Sequence, residues 1–218
     1  MRNLVLVPLL FILAVSFVPS TIAQEVRDNT MTNLPLNISS DTIQVTIRAD
    51  KSISPEKIFE VKNAILSIDT VTINGKIYFK GWQGALLEGS KHHIQFVMPI
   101  KLKITDFTND SQGIIIILTS NQNPSDIGFT TYSIINEKMT KVKVIIYNVN
   151  DLTNDELEAI TRHEFGHALG LGHSTIFGNL MNHQIDMNTP FISKCNINAL
   201  ISLYDGQINK LYVEDQPL

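Results

Sequence analysis

Three histidines and one glutamate at fixed spacing constrain this chain more than any other feature of its sequence. They lie in HEFGHALGLGH, residues 163–173. On an α-helix, residues four apart differ by only about 40° around the axis, so His163 and His167 would present two imidazoles on one face. Gly170 readily takes the left-handed conformation that ends a helix. The chain can then turn back and bring His173 to the same point.

Three neutral imidazole nitrogens leave the fourth position of a tetrahedral zinc ion open, which is typical of catalytic zinc sites. The pattern therefore predicts one catalytic Zn²⁺ held by His163, His167 and His173. Glu164 lies about 100° round the helix from His163, beside the metal and within reach of a metal-bound water. We expect it to be the general base. Two alternatives stay open: a metal site in which Glu164 is idle, and incidental histidines on an amphipathic helix.

The chain around this motif alternates between helical and extended patterns. Thr153 and Glu156 form a capping-box pattern that begins the motif helix. Apolar residues at steps of three and four predict a second amphipathic helix over 55–69. The sequence predicts strands at 43–47, 101–107, 113–119, 127–134 and 141–147, the last two joined as a hairpin near Asn136. Residues 114–118 are apolar on both faces, which indicates a central strand.

We therefore expect an α/β sandwich, in which one twisted mixed sheet packs on two long helices. The sequence of residues 71–100 predicts short strands or an irregular lobe around Trp82, in which glycines interrupt the regular structure. No internal repeat is present.

The N-terminus has the layout of a secretory signal: a positive start, an apolar run of about 15 residues over 4–18, and a small, turn-prone end at Ala23. We expect cleavage after Ala23, with 1–23 as signal peptide, 24–40 as a linker or short pro-segment without its own fold, and 41–212 as the folded domain. The alternative is an uncleaved membrane anchor, although the run is short of the ~20 residues that a spanning helix needs.

Composition excludes several classes of protein. The 218 residues carry 17 basic and 21 acidic side chains, a net charge of −4, so the basic footprint of a nucleic-acid-binding protein is absent. The single cysteine, Cys195, excludes an intrachain disulfide framework and a CxxC-type zinc or redox site.

The motif resembles that of the metzincin metallopeptidases. The glycine before the second histidine, the Leu-Gly-Leu that follows it and the serine after the third are most similar to the matrixins. The resemblance implies a tight turn bearing methionine beneath the metal, and Met181 lies at the expected distance. Residues 193–206 resemble the family's C-terminal helix. The close resemblance covers 153–181 and a looser one 41–206, which implies a metzincin-like catalytic domain with an upstream helix, an active-site helix and a C-terminal helix.

Some features depart from the family pattern. No cysteine precedes the motif, so a pro-segment thiolate cannot cap the zinc. The paired acids often found early in the last helix are replaced by Cys195 and Asn196. Calcium is possible, but the spacing of Asp106, Asp110 and Asp126 matches no calcium loop. His183 either lines the substrate pocket or faces solvent.

These features together predict a secreted, extracellular zinc metalloendopeptidase that hydrolyses peptide bonds through a zinc-bound water activated by Glu164. By resemblance, the substrate pairs with the edge strand near 127–132, and 182–191 forms a wall of the specificity pocket. The expected partner is a protein or peptide substrate, with no nucleic acid and no stable membrane insertion after signal cleavage, and we expect a monomer. The alternative function is a catalytically silent zinc-binding surface or adhesion module on the same scaffold.

Overall fold

A computed structural model describes residues 24–26, 34–37, 41–91, 100–106, 113–123 and 126–205, the first of these as backbone alone. The strands of these residues are β1 Gln24–Val26, β2 Thr42–Ala49, β3 Thr70–Ile73, β4 Lys76–Phe79, β5 Lys101–Ile104, β6 Ile114–Leu118, β7 Gly128–Ile135 and β8 Lys138–Ile146. The helices are α1 Pro55–Leu66, α2 Trp82–Ser90, α3 Asn154–Ala168 and α4 Lys194–Tyr204.

The main sheet has six strands in the order β1-β7-β8-β6-β2-β5. Its centre is parallel, since β2 pairs with β5 and β6 in parallel, and β6 pairs in parallel with β8. β7 and β1 complete it in antiparallel pairs. The prediction of a central strand at 114–118 is confirmed, because β6 has a neighbour on each side and both its faces are largely buried.

The predicted hairpin between β7 and β8 is also confirmed. Asn136 and Glu137 join the strands with φ of 50° and 59°, the left-handed pair that a tight two-residue turn requires. β7 therefore lies outside β8, close to one edge of the sheet.

Both predicted long helices begin where their capping residues indicate. The Ser54 side chain accepts a hydrogen bond from the Lys57 amide at the start of α1, and Thr153 and Glu156 form the complete capping box of α3. α1 ends at Leu66, three residues before the predicted end, and it packs against α3. The apolar faces of the two helices and the sheet share one buried core.

The prediction for residues 71–100 is partly wrong. β3 and β4 form a small separate hairpin, but Trp82 begins helix α2, and Gly84 lies inside this helix instead of breaking the chain. Gly84 suits this close packing, because a Cβ at that position would lie 3.0 Å from the backbone of Ile68, tighter than an ordinary contact. The buried Trp82 indole donates a hydrogen bond of 2.8 Å to the Arg162 carbonyl, so α2 supports α3.

Parts of the segment predicted as a linker or short pro-segment, 24–40, pack against the folded domain. Gln24–Val26 pairs antiparallel with Tyr132–Ile134 of β7. Leu36 is 3% exposed, and its amide donates to the Tyr204 hydroxyl. A single strand and one buried leucine carry too little periodicity for a sequence pattern to reveal them.

The predicted fold class is confirmed: a mixed sheet with an upstream helix, a motif helix and a C-terminal helix. The predicted signal peptide lies outside the described residues, and the domain boundaries stay a prediction. Within the described part of the chain, no helix has the length and apolar character needed to cross a bilayer.

Candidate metal centre

The structure brings the three predicted histidine ligands to one point. His163 and His167 lie one turn apart on α3, with 3.0 Å between their Nε2 atoms. His173 comes from the loop beyond the helix, and its Nε2 lies 3.1 Å from that of His167. All three ligand atoms lie within 4.8 Å of one another. Among the described residues they form the one such group of three or more histidine, cysteine or acidic side chains.

The third histidine reaches this point because α3 ends as predicted. The helix stops at Ala168, and Gly170 takes a φ of 108°. The Gly170 amide donates to the His167 carbonyl at 2.9 Å, and the Leu171 amide donates to the Gly166 carbonyl at 3.0 Å. These bonds satisfy the last carbonyls of the helix and turn the chain sharply.

The hydrogen bonds of the imidazoles show that the trio fits a cation. The Nδ1 atoms of His163 and His167 lie 2.7 Å from the carbonyl oxygens of Leu180 and Leu171. A carbonyl only accepts, so each Nδ1 carries the hydrogen and each Nε2 has a free lone pair. Facing lone pairs repel unless a cation lies between them. Bonds of 2.0–2.1 Å to a tetrahedral zinc would set such nitrogens about 3.3 Å apart, close to the spacing here.

Glu164 lies beside this trio, buried at 4% exposure. The Thr130 hydroxyl lies 2.6 Å from its Oε2 and donates a hydrogen bond that fixes the carboxylate. Gly128, at the start of β7, packs against the other oxygen: a Cβ there would lie 2.6 Å from Oε1. The carboxylate is therefore held between α3 and the edge of the sheet, and it borders the cleft that contains His163 and His173.

The predicted methionine turn lies directly against the motif helix. Met181 is 2% exposed, and a Cβ on Gly166 would lie only 2.5 Å from its Sδ. The preceding residue, Leu180, supplies the carbonyl that orients His163. This geometry explains why glycine precedes the second histidine: a larger residue would displace the methionine.

A cleft of about 800 Å³ is bordered by His163, Glu164 and His173. Gly128 and Phe129 of β7 also line it, as do Ile185 and Met187 from the segment after Met181. β1 covers the outer edge of β7 over Tyr132–Ile134. In the described part of the chain, no strand pairs with the outer edge of residues 128–131, which lies beside Glu164.

Comparison with known proteins agrees with this geometry. A family model described as Matrixin matches residues 123–205, a range that contains β7, β8, α3, α4 and the whole histidine trio. Residues 123–205 are matrixin-like. The match supports a metallopeptidase in general, and the trio could hold the zinc on which matrixins depend. No curated protein matches the chain significantly.

Burial sets the charge state of the matrixin-like histidine trio. Burial lowers the pKa of His163 and lowers that of His167 still further below its usual range. It lowers the pKa of His173 to about 4. The rings are therefore neutral at pH 7, which is the form that binds metal.

These shifts predict that the metal-free protein loses stability in mild acid. In the unfolded chain the imidazoles titrate near 6.5, whereas in the folded chain they titrate lower. As the pH falls from about 6.5 towards 4, the unfolded state therefore binds more protons, and the free energy of unfolding decreases. Urea denaturation of chelator-treated protein at several pH values measures this.

The matched control for this pH series replaces all three histidines with glutamine. The control should show a flatter dependence of the free energy of unfolding on pH over the same window. Equal slopes for the two proteins would contradict the assignment of the effect to the trio.

Sequence reasoning missed Arg162, which precedes the first ligand. It is 1% exposed, and its guanidinium pairs with the Glu158 carboxylate. It also donates hydrogen bonds to the carbonyls of Lys80, at 2.5 Å, and Pro190, at 3.2 Å. Arg162 thus ties the motif helix to the end of the segment predicted as the pocket wall.

Asn196 was noted only as a replacement for a family acid. Its Oδ1 caps α4 together with Ser193, and its Nδ2 donates to Asn179 Oδ1 at 2.9 Å. The same Asn179 oxygen accepts from the Met181 amide at 2.9 Å. Asn196 therefore connects the last helix to the methionine turn with neutral groups.

The remaining predicted residues have mixed outcomes. His183 lines the cleft and is also exposed to solvent, so both interpretations of this residue stay open. Asp126 also lines the cleft, whereas Asp110 lies outside the described residues. Asp106 and Asp126 belong to no metal-ligand group in the described part of the chain, so calcium gains no support.

Proposed function

We propose that this protein is a secreted zinc-dependent metalloendopeptidase. The observation that carries the proposal is the convergence of three imidazole Nε2 atoms, with the Glu164 carboxylate beside them, on the floor of an open cleft. The apolar run at residues 4–18 supports secretion. The matrixin match supports peptide hydrolysis as the reaction.

The metal would be held by His163, His167 and His173. When bound, zinc supplies a Lewis acid that polarises a peptide carbonyl and lowers the pKa of a water molecule. The hydrogen bonds of His163 and His167 to backbone carbonyls keep both rings in the tautomer that presents Nε2 to the metal.

Glu164 moves the proton. Thr130 holds one oxygen of the carboxylate in place, and the carboxylate borders the cleft, where it would accept a proton from the attacking water and deliver it to the leaving amine. The absence of a side chain at Gly128 lets the substrate backbone approach this carboxylate closely.

The edge of β7 over residues 128–131 is suited to bind the substrate as an additional strand. Backbone hydrogen bonds along a strand edge recognise an extended peptide without regard to its side chains. β1 limits this edge on one side, since it pairs with Tyr132–Ile134. The substrate is thus an extended or locally unfolded segment, and Ile185 and Met187 contact its side chains from the opposite wall.

Metal removal tests the proposal. Purified protein should cleave casein, and 1,10-phenanthroline should lower the rate by at least about 100-fold, because both the Lewis acid and the activated water are lost. Added Zn²⁺ should restore the rate. The isomer 1,7-phenanthroline, which does not chelate, is the control, and the N-termini of the peptides released give the cleavage preference.

Two results would contradict this proposal in different ways. A protein that contains zinc and cleaves no substrate would favour the silent zinc-binding module. Cleavage that both phenanthrolines leave unchanged would exclude a metallopeptidase.

A further inference from the structure

Among the described residues that line the cleft, His183 is the one histidine outside the predicted ligand set. Its ring centroid lies 3.7 Å from that of His173, with 37° between the ring planes. His183 itself is exposed, and it lines the cleft together with His163, Glu164 and His173. It belongs to neither the trio nor the proposed proton transfer, so its contact with a metal ligand calls for a separate role.

A short network of hydrogen bonds fixes the two loop segments that carry these rings. The Ser174 amide donates to the Met181 carbonyl at 2.7 Å, and Asn182 Nδ2 donates to the Ser174 carbonyl at 3.2 Å. Ser174 and Asn182 form a parallel bridge. The residues next to His173 and His183 are therefore tied to each other, and the stacked contact lies on a constrained backbone.

The three ligand rings are not oriented in the same way. His163 and His167 each have Nδ1 hydrogen-bonded to a backbone carbonyl at 2.7 Å. In the described part of the chain, no such carbonyl lies against Nδ1 of His173, and its only hydrogen-bond contact is the Nε2 of His167. The ring of His173 is also only half buried, whereas the other two are almost fully buried. Two rings pack against this third ring: the edge contact with His167, at 4.6 Å between centroids, and the closer, tilted contact with His183.

We propose that His183 is a positioning residue, whose ring holds the His173 imidazole in the orientation that metal binding requires. The inference rests on the proposed zinc site, and it deepens that proposal by naming what fixes the third ligand. Replacing a residue that orients a metal-bound histidine typically lowers the metal affinity by about 10–100-fold. A ring contact without a hydrogen bond, made by an exposed side chain, should lie at the lower end of that range.

Two substitutions separate stacking from any other role of the imidazole. His183→Ala removes the flat ring, and we expect the zinc affinity to fall about tenfold. His183→Phe keeps a flat ring without nitrogen, and the affinity should stay within about twofold of wild type. Phe177→Ala is the matched control, because it removes a 78% exposed ring from the segment between His173 and Met181, and Phe177 is not among the residues that line the cleft. It should leave the affinity unchanged.

The measurement is the zinc dissociation constant, obtained by competition with a chromophoric chelator. It does not depend on peptidase activity. Thermal unfolding of the metal-free proteins should be the same for all variants, which excludes misfolding as the cause of a lower affinity.

The outcomes distinguish this inference from the proposed function. Wild-type affinity in His183→Ala would overturn the positioning role, as would an equal loss in the alanine and phenylalanine variants, since the nitrogen would then be what matters. A wild-type protein that binds no zinc would overturn the proposed function and this inference together.

Discussion

A Glu164→Gln variant is expected to bind zinc like the wild type. Its rate of peptide cleavage should fall by about 10²–10⁴-fold, the range that a positioned general acid and base contributes. The amide has nearly the shape of the carboxylate, so it can still lie beside Thr130 and Gly128. It cannot accept a proton from water at neutral pH. The cleavage rate and the zinc content measured on one preparation test both halves of this expectation.

Glu137→Gln is the matched control, because Glu137 is exposed in the turn between β7 and β8. It makes the same chemical change away from the cleft and should leave both zinc content and cleavage unchanged. Undiminished cleavage by Glu164→Gln would exclude Glu164 as the base. Loss of zinc from that variant would show that the carboxylate supports the metal site in some other way.

Replacing Arg162 with leucine should destabilise the fold by about 3 kcal/mol, the lower end of the range for breaking a buried ion pair. The change removes the cationic partner of the Glu158 carboxylate, which is 14% exposed and keeps a neutral hydrogen bond from Asn63. It also removes the donors to the carbonyls of Lys80 and Pro190, and the contact of the guanidinium with the Phe191 ring at 5.0 Å. Urea denaturation of the zinc-loaded protein measures the free energy of unfolding.

Arg48→Leu is the control for this substitution. Arg48 is exposed on β2, so its loss should change the free energy of unfolding by no more than about 0.5 kcal/mol. A destabilisation below about 1 kcal/mol in Arg162→Leu would contradict a structural role for this buried arginine.

The parts of the fold that were predicted correctly carry local signals. α3 has a capping box at its start and a left-handed glycine after its end, and β6 is apolar on both faces. The turn at Asn136 is the type that joins two neighbouring strands. In each case the residues that set the structure lie within a few positions of one another.

The parts that were missed depend on contacts between distant segments. Gly84 has a place inside α2 only because the helix lies against the backbone of Ile68. Arg162 looks like an ordinary helical arginine until Lys80 and Pro190 are brought beside it. The strand at Gln24–Val26 exists through its pairing with β7, more than a hundred residues away. Short-range periodicity contains no information about such partners.

The candidate site lies between these two cases. Helical spacing alone brings His163 and His167 together, and the glycine that ends the helix permits His173 to join them. Leu171, which orients His167, lies within the motif itself. The other orienting partners come from other segments: Leu180 and His183 lie in the methionine-turn region, and Thr130, which orients Glu164, lies on β7. Sequence spacing therefore identifies the ligands, whereas the tertiary fold supplies most of the residues that orient them.

X-ray absorption at the zinc edge of the zinc-loaded protein tests the central claim most directly. We expect one zinc per chain, with three imidazole nitrogens at about 2.0–2.1 Å and a single oxygen completing the shell. Fewer than three imidazoles, or a sulfur at about 2.3 Å from the lone Cys195, would contradict a catalytic centre built from His163, His167 and His173.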